Sequence, residues 1–357
     1  LLLLQNIIES YISLFKAFRE IKYLSAILVV RKVVFLILAV IALTNGHQLI
    51  SLITIYTINE LFILLILAGK SYNMLGIKFP SFKGIGELVR YSVPISMANI
   101  SSWVLNSSDR YIIGIFLGVT SVGYYAVAYA IGIVIQNIIH PVSITIIPTL
   151  SKYYDENDTK NVSLFIHYPL KYFLLLAIPS VFGQLVLSYE LLTLFTTVEI
   201  AQNSAFITPI IGCVALFMGC QGVIYAPILL AKKTQILLWI TSLATVLNVT
   251  LNILFVPTLG IIGAALGTLS SSLSSLILVY YYANRYLTIQ IDWRFILKCI
   301  IASMIMGIVI YPIKSAIITQ LIFTIIFGVV VYFALILIMK GITVDEIKKL
   351  ITHIRHS

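Results

Sequence analysis

Charge is scarce in this chain. Asp, Glu, Lys and Arg make up 10% of its 357 residues, whereas soluble globular domains carry about 25%. With 60% of residues hydrophobic, a solvated globular surface is excluded. Cysteine is rare too. Cys213, Cys220 and Cys299 fall in or at the edge of apolar runs. They suggest no disulfide framework or thiolate metal site and read as small, polarizable packing residues. His47, His140, His167, His353 and His356 show no ligand spacing with Cys or a carboxylate, so zinc chemistry has no support.

A phosphate-cradling loop is also missing. Ala68-Gly69-Lys70-Ser71 ends like one, but the motif's first glycine would fall at Leu64, inside an apolar run. Lys70 reads instead as a snorkelling interface residue. Asp155-Glu156-Asn157-Asp158 lies in a connection too short for a nucleotide-sugar domain and reads as a solvated turn. No catalytic constellation emerges, and an enzyme is not expected.

What the chain does have is apolar runs of about 15–28 residues, where a helix needs ~20 to cross the hydrocarbon core. They are too long and too little alternating for barrel strands. An all-α polytopic membrane protein follows, with about eleven segments at 1–15, 33–46, 49–69, 91–118, 121–150, 165–188, 203–231, 235–256, 260–284, 297–313 and 317–339. The first run begins at Leu1 with no basic stretch before it, so it reads as the middle of a helix, not a signal peptide, and the chain as a fragment.

Orientation follows from the basic residues. Lys16, Arg19, Lys22, Arg31 and Lys32 fall in one connection, and Lys70, Lys78, Lys83 and Arg90 two segments later. The alternation continues with Lys152, Lys160 and Lys171, then Lys232 and Lys233, then Arg285, Arg294 and Lys298, then the tail after Lys340. Of 23 Lys and Arg, 21 belong to this alternating set, with Lys171 and Lys298 close to segment ends; Lys314 lies in an intervening connection and Arg110 deep inside a segment. Short basic loops stay cytoplasmic, so the C-terminus is expected in the cytoplasm. The formal charge of +10 thus signals topology and attraction to anionic membrane lipids, not nucleic acid.

Polar residues inside the segments carry the functional expectation. Ser92, Ser96, Asn99, Trp103, Asn106 and Arg110 step by three or four and share one helical face, with Asp109 on its flank. Intramembrane ionisable residues almost always face a bundle interior or a watery cavity. Tyr125, Tyr129, Gln136 and His140 form a similar stripe, and Thr241, Thr245, Asn248 and Asn252 a third. Cavity lining and hydrogen bonding between helices both fit these residues. Gly114-x-x-x-Gly118 and Gly263-x-x-x-Gly267 permit close helix packing.

The run from Leu88 to Pro148, with Asp109-Arg110, Gly118, Val122-Gly123-Tyr124 and Pro148, resembles the start of the second half of Wzx-like polysaccharide flippases. These belong to the multidrug/oligosaccharidyl-lipid/polysaccharide exporter superfamily. "NVTLNILFVPTLGIIGAALGT", residues 248–268, looks like that superfamily's connection between its eleventh and twelfth helices, and 14–27 like the turn after its fourth. The resemblance implies a two-lobed, MATE-like helix bundle whose first lobe is incomplete here. Residues 1–85 would be the remnant of that lobe, 86–287 the second six-helix lobe, 288–340 two extra membrane helices, and 341–357 a cytoplasmic tail.

It further implies a transporter of the cytoplasmic membrane that flips polyprenyl-diphosphate-linked oligosaccharide by alternating access. Membrane lipids and polysaccharide-assembly proteins would be its partners. No cofactor is expected beyond coupling to H+ or Na+. Arg110, Asp109, Asn106, Asn99, Gln136, His140, Asn248 and Asn252 are the expected cavity residues. Arg110 would meet the anionic head group, and Asp109 would orient Arg110 or titrate. The alternatives are a cation-coupled drug exporter of the same fold, a membrane glycosyltransferase or polymerase, and a non-transporting scaffold. The glycosyltransferase would want paired catalytic groups in a large external loop, and Glu190 and Glu199 in 189–202 show no basic or His partner in the sequence.

Overall fold

Backbone in hydrocarbon must satisfy every N–H and C=O internally, so apolar runs of this length fold as helices. The computed structural model describes residues 2–18, 20–46, 48–76, 85–139, 150–151, 153–154, 156 and 158–341. For 2, 17, 21, 49, 85, 87–92, 94–95, 97–99, 102 and 159–161 it describes backbone alone. No strand occurs among the described residues. The helices are α1 (Leu2–Ala17), α2 (Ile21–Thr44), α3 (Leu49–Leu75), α4 (Ile85–Leu117), α5 (Val119–Gly132, continued as a 3-10 helix over Ile133–Ile138) and α6 (Thr159–Phe195). They continue with α7 (Val198–Ser204), α8 (Ile207–Ile224), α9 (Ala226–Leu230), α10 (Thr234–Ala283), α11 (Trp293–Ile310) and α12 (Ile318–Ile338).

Eight of these are long and apolar enough to cross a membrane among the described residues. The 50-residue α10 is one of the eight, yet it contains a reversal at Gly260, whose φ of 64° suits glycine. Asn248 hydrogen-bonds Thr268 and Ser271, twenty or so positions onward, so 234–259 and 261–283 run back against each other. α1, at 16 residues, and α4, which carries the polar stripe, are the expected segments not among the eight.

Two expectations change here. Arg31 and Lys32 do not lie in a connection between helices: α2 begins at Ile21 and carries both within it. The connection is only residues 18–20, because Arg31 has a buried partner that lets it sit inside a span. The glycine pairs also divide. A Cβ on Gly263 would collide with the Phe255 backbone, so that glycine allows the two halves of α10 to touch. Gly118 has nothing near it and instead takes a positive φ of 83° in the turn from α4 to α5.

The chain forms two compact units, Leu1–Glu87 and Leu88–Ser357. In the first, α1, α2 and α3 enclose Ile8, Ile12, Phe15, Leu24, Ile63 and Leu67. In the second, α8 is the central helix and packs against α5, α6 and α10. It is apolar around its circumference, as a helix enclosed by others should be. Lipid tails are as apolar as leucine, so helix association in a bilayer rests on close packing and hydrogen bonds. Small residues supply the closeness: a Cβ on Gly219 would strike the Phe173 ring, and one on Gly132 would lie 2.7 Å from Ile211 Cβ and 2.8 Å from Thr208 O.

Helix breaks are closed by side chains from neighbours. Pro179 in α6 has no N–H for the carbonyl four residues earlier, and the Tyr332 hydroxyl of α12 donates to that Leu175 carbonyl at 2.8 Å. Where α5 tightens into its 3-10 turn, Gln184 Nε2 of α6 donates to the Ile131 and Gly132 carbonyls at 3.2 and 3.4 Å. Glu190, near the end of α6, pairs with Lys314 at 3.2 Å. Glu199 accepts a hydrogen bond from Tyr124 at 2.7 Å. The two acids therefore do have partners, but on separate elements, and they do not form a catalytic pair.

Gly132 and Gly123 test the packing argument within one helix. Gly132→Ala overpacks the contact with α8 and is expected to destabilise by about 1–3 kcal/mol. Gly123→Ala meets nothing within 4 Å and should be neutral or stabilising by up to about 1 kcal/mol through helix propensity. Denaturant titration of the purified protein in detergent reads both; equal effects would remove close packing as the reason for Gly132.

Candidate functional site

Asp109 lies well inside α4, two turns before the Gly118 turn that folds α5 back against it. Its side chain is 1% exposed. A lone carboxylate in apolar surroundings is strongly unfavourable unless charge or hydrogen bonds compensate it. Three neutral donors converge on it from three stretches of chain. The Tyr125 hydroxyl of α5 donates to Oδ2 at 2.6 Å. Thr268 Oγ1, from the second half of α10, lies 2.9 Å from the same oxygen. Asn252 Nδ2, from the first half, reaches Oδ1 at 3.3 Å.

A second ring of polar groups holds those donors. Asn252 Nδ2 also lies 3.0 Å from the Asn248 carbonyl and 3.1 Å from Asn248 Oδ1. Asn248 Nδ2 donates to Thr268 Oγ1 at 3.1 Å, and Ser108 donates to Asn248 Oδ1 at 2.9 Å. Asn248, Asn252 and Ser271 are fully buried. In this cluster one atom breaks the accounting: Asn252 Oδ1 is buried with no hydrogen-bond partner, as are five other side-chain atoms among the described residues, Asn59 Oδ1 beside Glu60 included. Buried polar atoms are nearly always satisfied, so such an exception calls for an explanation.

The cluster is chemically specific. One carboxylate, two carboxamides and hydroxyls form a hard environment with a single carboxylate charge, whose oxygens are the only ligands it could offer an ion. That suits a proton or a small monovalent cation. Among the described residues no three His, Cys, Asp or Glu gather as a metal would require, so a transition metal lacks its ligands.

Arg110 does not pair with Asp109. Successive helical residues point about 100° apart, and Arg110 turns to a neighbouring face. Its guanidinium lies over the Tyr129 ring, 4.7 Å from the centroid, and Nη1 donates to the Asn106 carbonyl at 3.2 Å. The side chain is half-buried. It is a cation stacked on an aromatic face, with donors left for an anion.

Of the expected residues, the structure brings Asp109, Asn248 and Asn252 together and sets Arg110 and Asn106 beside them on α4. Gln136 is half-buried in the 3-10 turn, about 16 Å along the helix from Tyr125, and is no part of the cluster. The side chain of Asn99, and all of His140, lie outside the described residues. Thr268, Ser271 and Ser108 were not expected, although Thr268-Leu-Ser-Ser-Ser-Leu-Ser-Ser275 is a visibly polar run within an apolar segment.

A second buried carboxylate went unanticipated in the first unit. Glu60 of α3 is fully buried, and Arg31 of α2 grips it side-on, Nε to Oε1 at 2.8 Å and Nη2 to Oε2 at 2.7 Å. Asn59 Nδ2 donates to the Arg31 carbonyl at 3.1 Å. Tyr56 sits beside the guanidinium and receives a hydrogen bond from Gln5 of α1 at 2.9 Å.

Comparison with known proteins places this geometry in a setting. Residues 2–199 match the model of a family described as polysaccharide biosynthesis protein. The chain is 27% identical over 287 residues, 79% of its length, to the probable low-salt glycan biosynthesis flippase Agl15 of Haloferax volcanii. It is 26% identical over 233 residues, 58% of its length, to the probable lipid II flippase MurJ of Rickettsia prowazekii. The chain covers 61% and 45% of those two proteins. A solved structure titled lipid II flippase MurJ, inward closed conformation, superposes with a TM-score of 0.68 at 20% identity, over 87% of this chain and 65% of that one. The likeness to that structure is one of fold.

Tyr125 and Thr268 share one carboxylate oxygen, which makes their contributions interdependent. Tyr125→Phe and Thr268→Val are each expected to destabilise the second unit by about 1.5–3 kcal/mol, as for hydrogen bonds to a charged group. Together they should cost measurably more or less than their sum. A double-mutant cycle on denaturant unfolding in detergent measures this; strict additivity would mean the two hydroxyls do not act on the same group.

Proposed function

The chain belongs to the polysaccharide biosynthesis protein family, and from that premise we propose that it translocates a lipid-linked oligosaccharide across a membrane, with Asp109 as the site of cation coupling and Arg110 as the contact for the cargo's anionic head group. The chain is a multi-pass, all-helical membrane protein. Its basic residues favour a cytoplasmic C-terminus in the cytoplasmic membrane. Since it spans about three fifths of its first curated relative, activity, cargo and partners are all part of this proposal.

The observation that carries the reading is the Asp109 cluster. A carboxylate held only by neutral donors, with an unmatched amide oxygen beside it, is a site whose charge can change during a cycle. A scaffold would gain nothing from that arrangement, because a neutral or paired core holds helices at least as well. Proton binding at Asp109 would turn an acceptor into a donor and could satisfy Asn252 Oδ1. A monovalent cation would be coordinated by the same oxygens. Either event reorganises hydrogen bonds among α4, α5 and both halves of α10, which is how a local charge change biases a two-state element.

Arg110 supplies the other half. A planar guanidinium forks onto phosphate oxygens and stays charged at any relevant pH. The Tyr129 ring holds it without neutralising it. The lipid portion of the cargo can remain in the bilayer while its diphosphate meets this residue, and Asn and Tyr side chains suit sugar hydroxyls.

Arg110→Ala in the full-length protein at normal expression is expected to abolish translocation, seen as lipid-linked sugar accumulating on the inner leaflet, while Arg110→Lys retains a fraction. Undiminished export by Arg110→Ala would remove Arg110 from the mechanism. Drug resistance conferred without any change in lipid-linked sugar would favour the exporter of the same fold instead.

A further inference from the structure

The described residues contain three buried carboxylates, Glu60, Asp109 and Glu190. Two have a cation within ion-pair distance: Arg31 at 2.7 Å from Glu60 and Lys314 at 3.2 Å from Glu190. Of these three, Asp109 alone has hydrogen bonds from neutral groups and no ion pair. Glu190 is near the end of its helix, whereas Glu60 and Asp109 each lie two or more turns from either end of theirs. The two deep acids thus differ in whether a built-in cation grips the carboxylate directly: Arg31 does at Glu60, whereas Arg110 acts on Asp109 only across space.

We propose that Arg31 is a tethered counterion that takes the place of a mobile cation at Glu60, so that one transport cycle draws on a single proton or monovalent cation, at Asp109. The side-on geometry supports this. Oε1 of Glu60 accepts a hydrogen bond from Arg31 Nε at 2.8 Å and Oε2 lies 2.7 Å from Nη2, so the carboxylate's counter-charge is held against it by the chain itself. The groups facing it are Arg31 from α2 and Tyr56 from α3 itself. α1 contributes the neutral Gln5 amide, through Tyr56. Asn59 fixes the Arg31 backbone, and only about a sixth of the Arg31 side chain is exposed (17%). The pair is a closed unit.

Removing the tether has a distinctive consequence. Loss of one partner from a buried pair leaves an uncompensated charge, which must then be met from solution by a proton or a cation. Arg31→Gln should therefore give the protein a second ion requirement that it did not have, and that requirement should depend on Glu60. A merely structural pair would lose stability on substitution but would not alter the number of ions that activate transport.

The inference rests on Asp109 as the coupling site, and the experiment separates the two. The full-length protein is reconstituted in proteoliposomes, and the rate of translocation of a fluorescent polyprenyl-diphosphate disaccharide is measured across pH and sodium series. The native protein is expected to respond with a Hill coefficient of about 1, rising toward about 2 in Arg31→Gln, since the coefficient is bounded by the number of sites. Arg31→Gln/Glu60→Gln should restore the single-site response. If the single variant does not fold, the double variant decides: a native-like slope supports the tether, and loss of ion dependence overturns it. A native protein that needs two ions, or a folded Arg31→Gln with an unchanged slope, also overturns it. Asp109→Asn identifies the other failure. Should ion dependence survive in that variant while Arg31→Gln still gains a Glu60-dependent step, the coupling assignment falls and the tether stands.

Discussion

A carboxylate that must stay hydrogen-bonded inside a bilayer constrains everything around it. Asp109 takes its donors from α5 and from both halves of α10, so the placement of those helices is fixed by one side chain. The reversal at Gly260 brings Asn252 and Thr268 to the same carboxylate, although sixteen positions separate them in sequence. The Gly118 turn does the same for Tyr125. Packing in the second unit then follows from small residues on and around α8, which allow those helices to approach closely enough for the bonds to form.

A second constraint runs through the long helices. α6 has 37 residues, about 55 Å of helix at 1.5 Å per residue, and it contains Pro169 and Pro179. Each carbonyl that a proline leaves unmatched needs a donor, because water is absent from the hydrocarbon core. Tyr332 serves Leu175, and Gln184 serves the α5 break. Intramembrane polar residues therefore divide into two kinds. Some repair backbone and are structural by function, while Asp109 and Arg110 repair nothing and are themselves in need of compensation. That contrast separates candidate site from scaffold more sharply than polarity alone.

The helical class, most of the segments and the polar faces that carry Asp109, Asn248 and Asn252 were legible in the sequence, because hydropathy and a three-to-four spacing are local properties. Their partners were less so. Helical periodicity tells which residues share a face and says nothing of what that face meets. Thr268 and Ser108 became visible only when the chain reversals brought them close. Asp109 and Arg110 looked like a pair because they are adjacent, yet adjacency on a helix turns side chains apart. Arg31 was assigned to a connection because a count of basic residues treats each as solvated. Its partner Glu60 stood in plain view as a lone acid within an apolar run, and pairing across helices is what the count leaves out. Lys314 breaks the same alternation, and Glu190 beside it supplies the compensation.

Position 252 shows how finely such a site can be set by composition. A second carboxylate there would lie directly against Asp109, and two anions at that depth would demand a divalent cation or a permanently shared proton. Asparagine offers the same oxygen without the charge. The cluster then carries one negative charge, spread over donors that can each rotate or exchange a partner. A single proton or monovalent cation neutralises it completely, and its departure leaves a charge the remaining donors can still hold. The proposed coupling at Asp109 would require such a near balance between two occupancies. It is absent where Arg31 closes on Glu60.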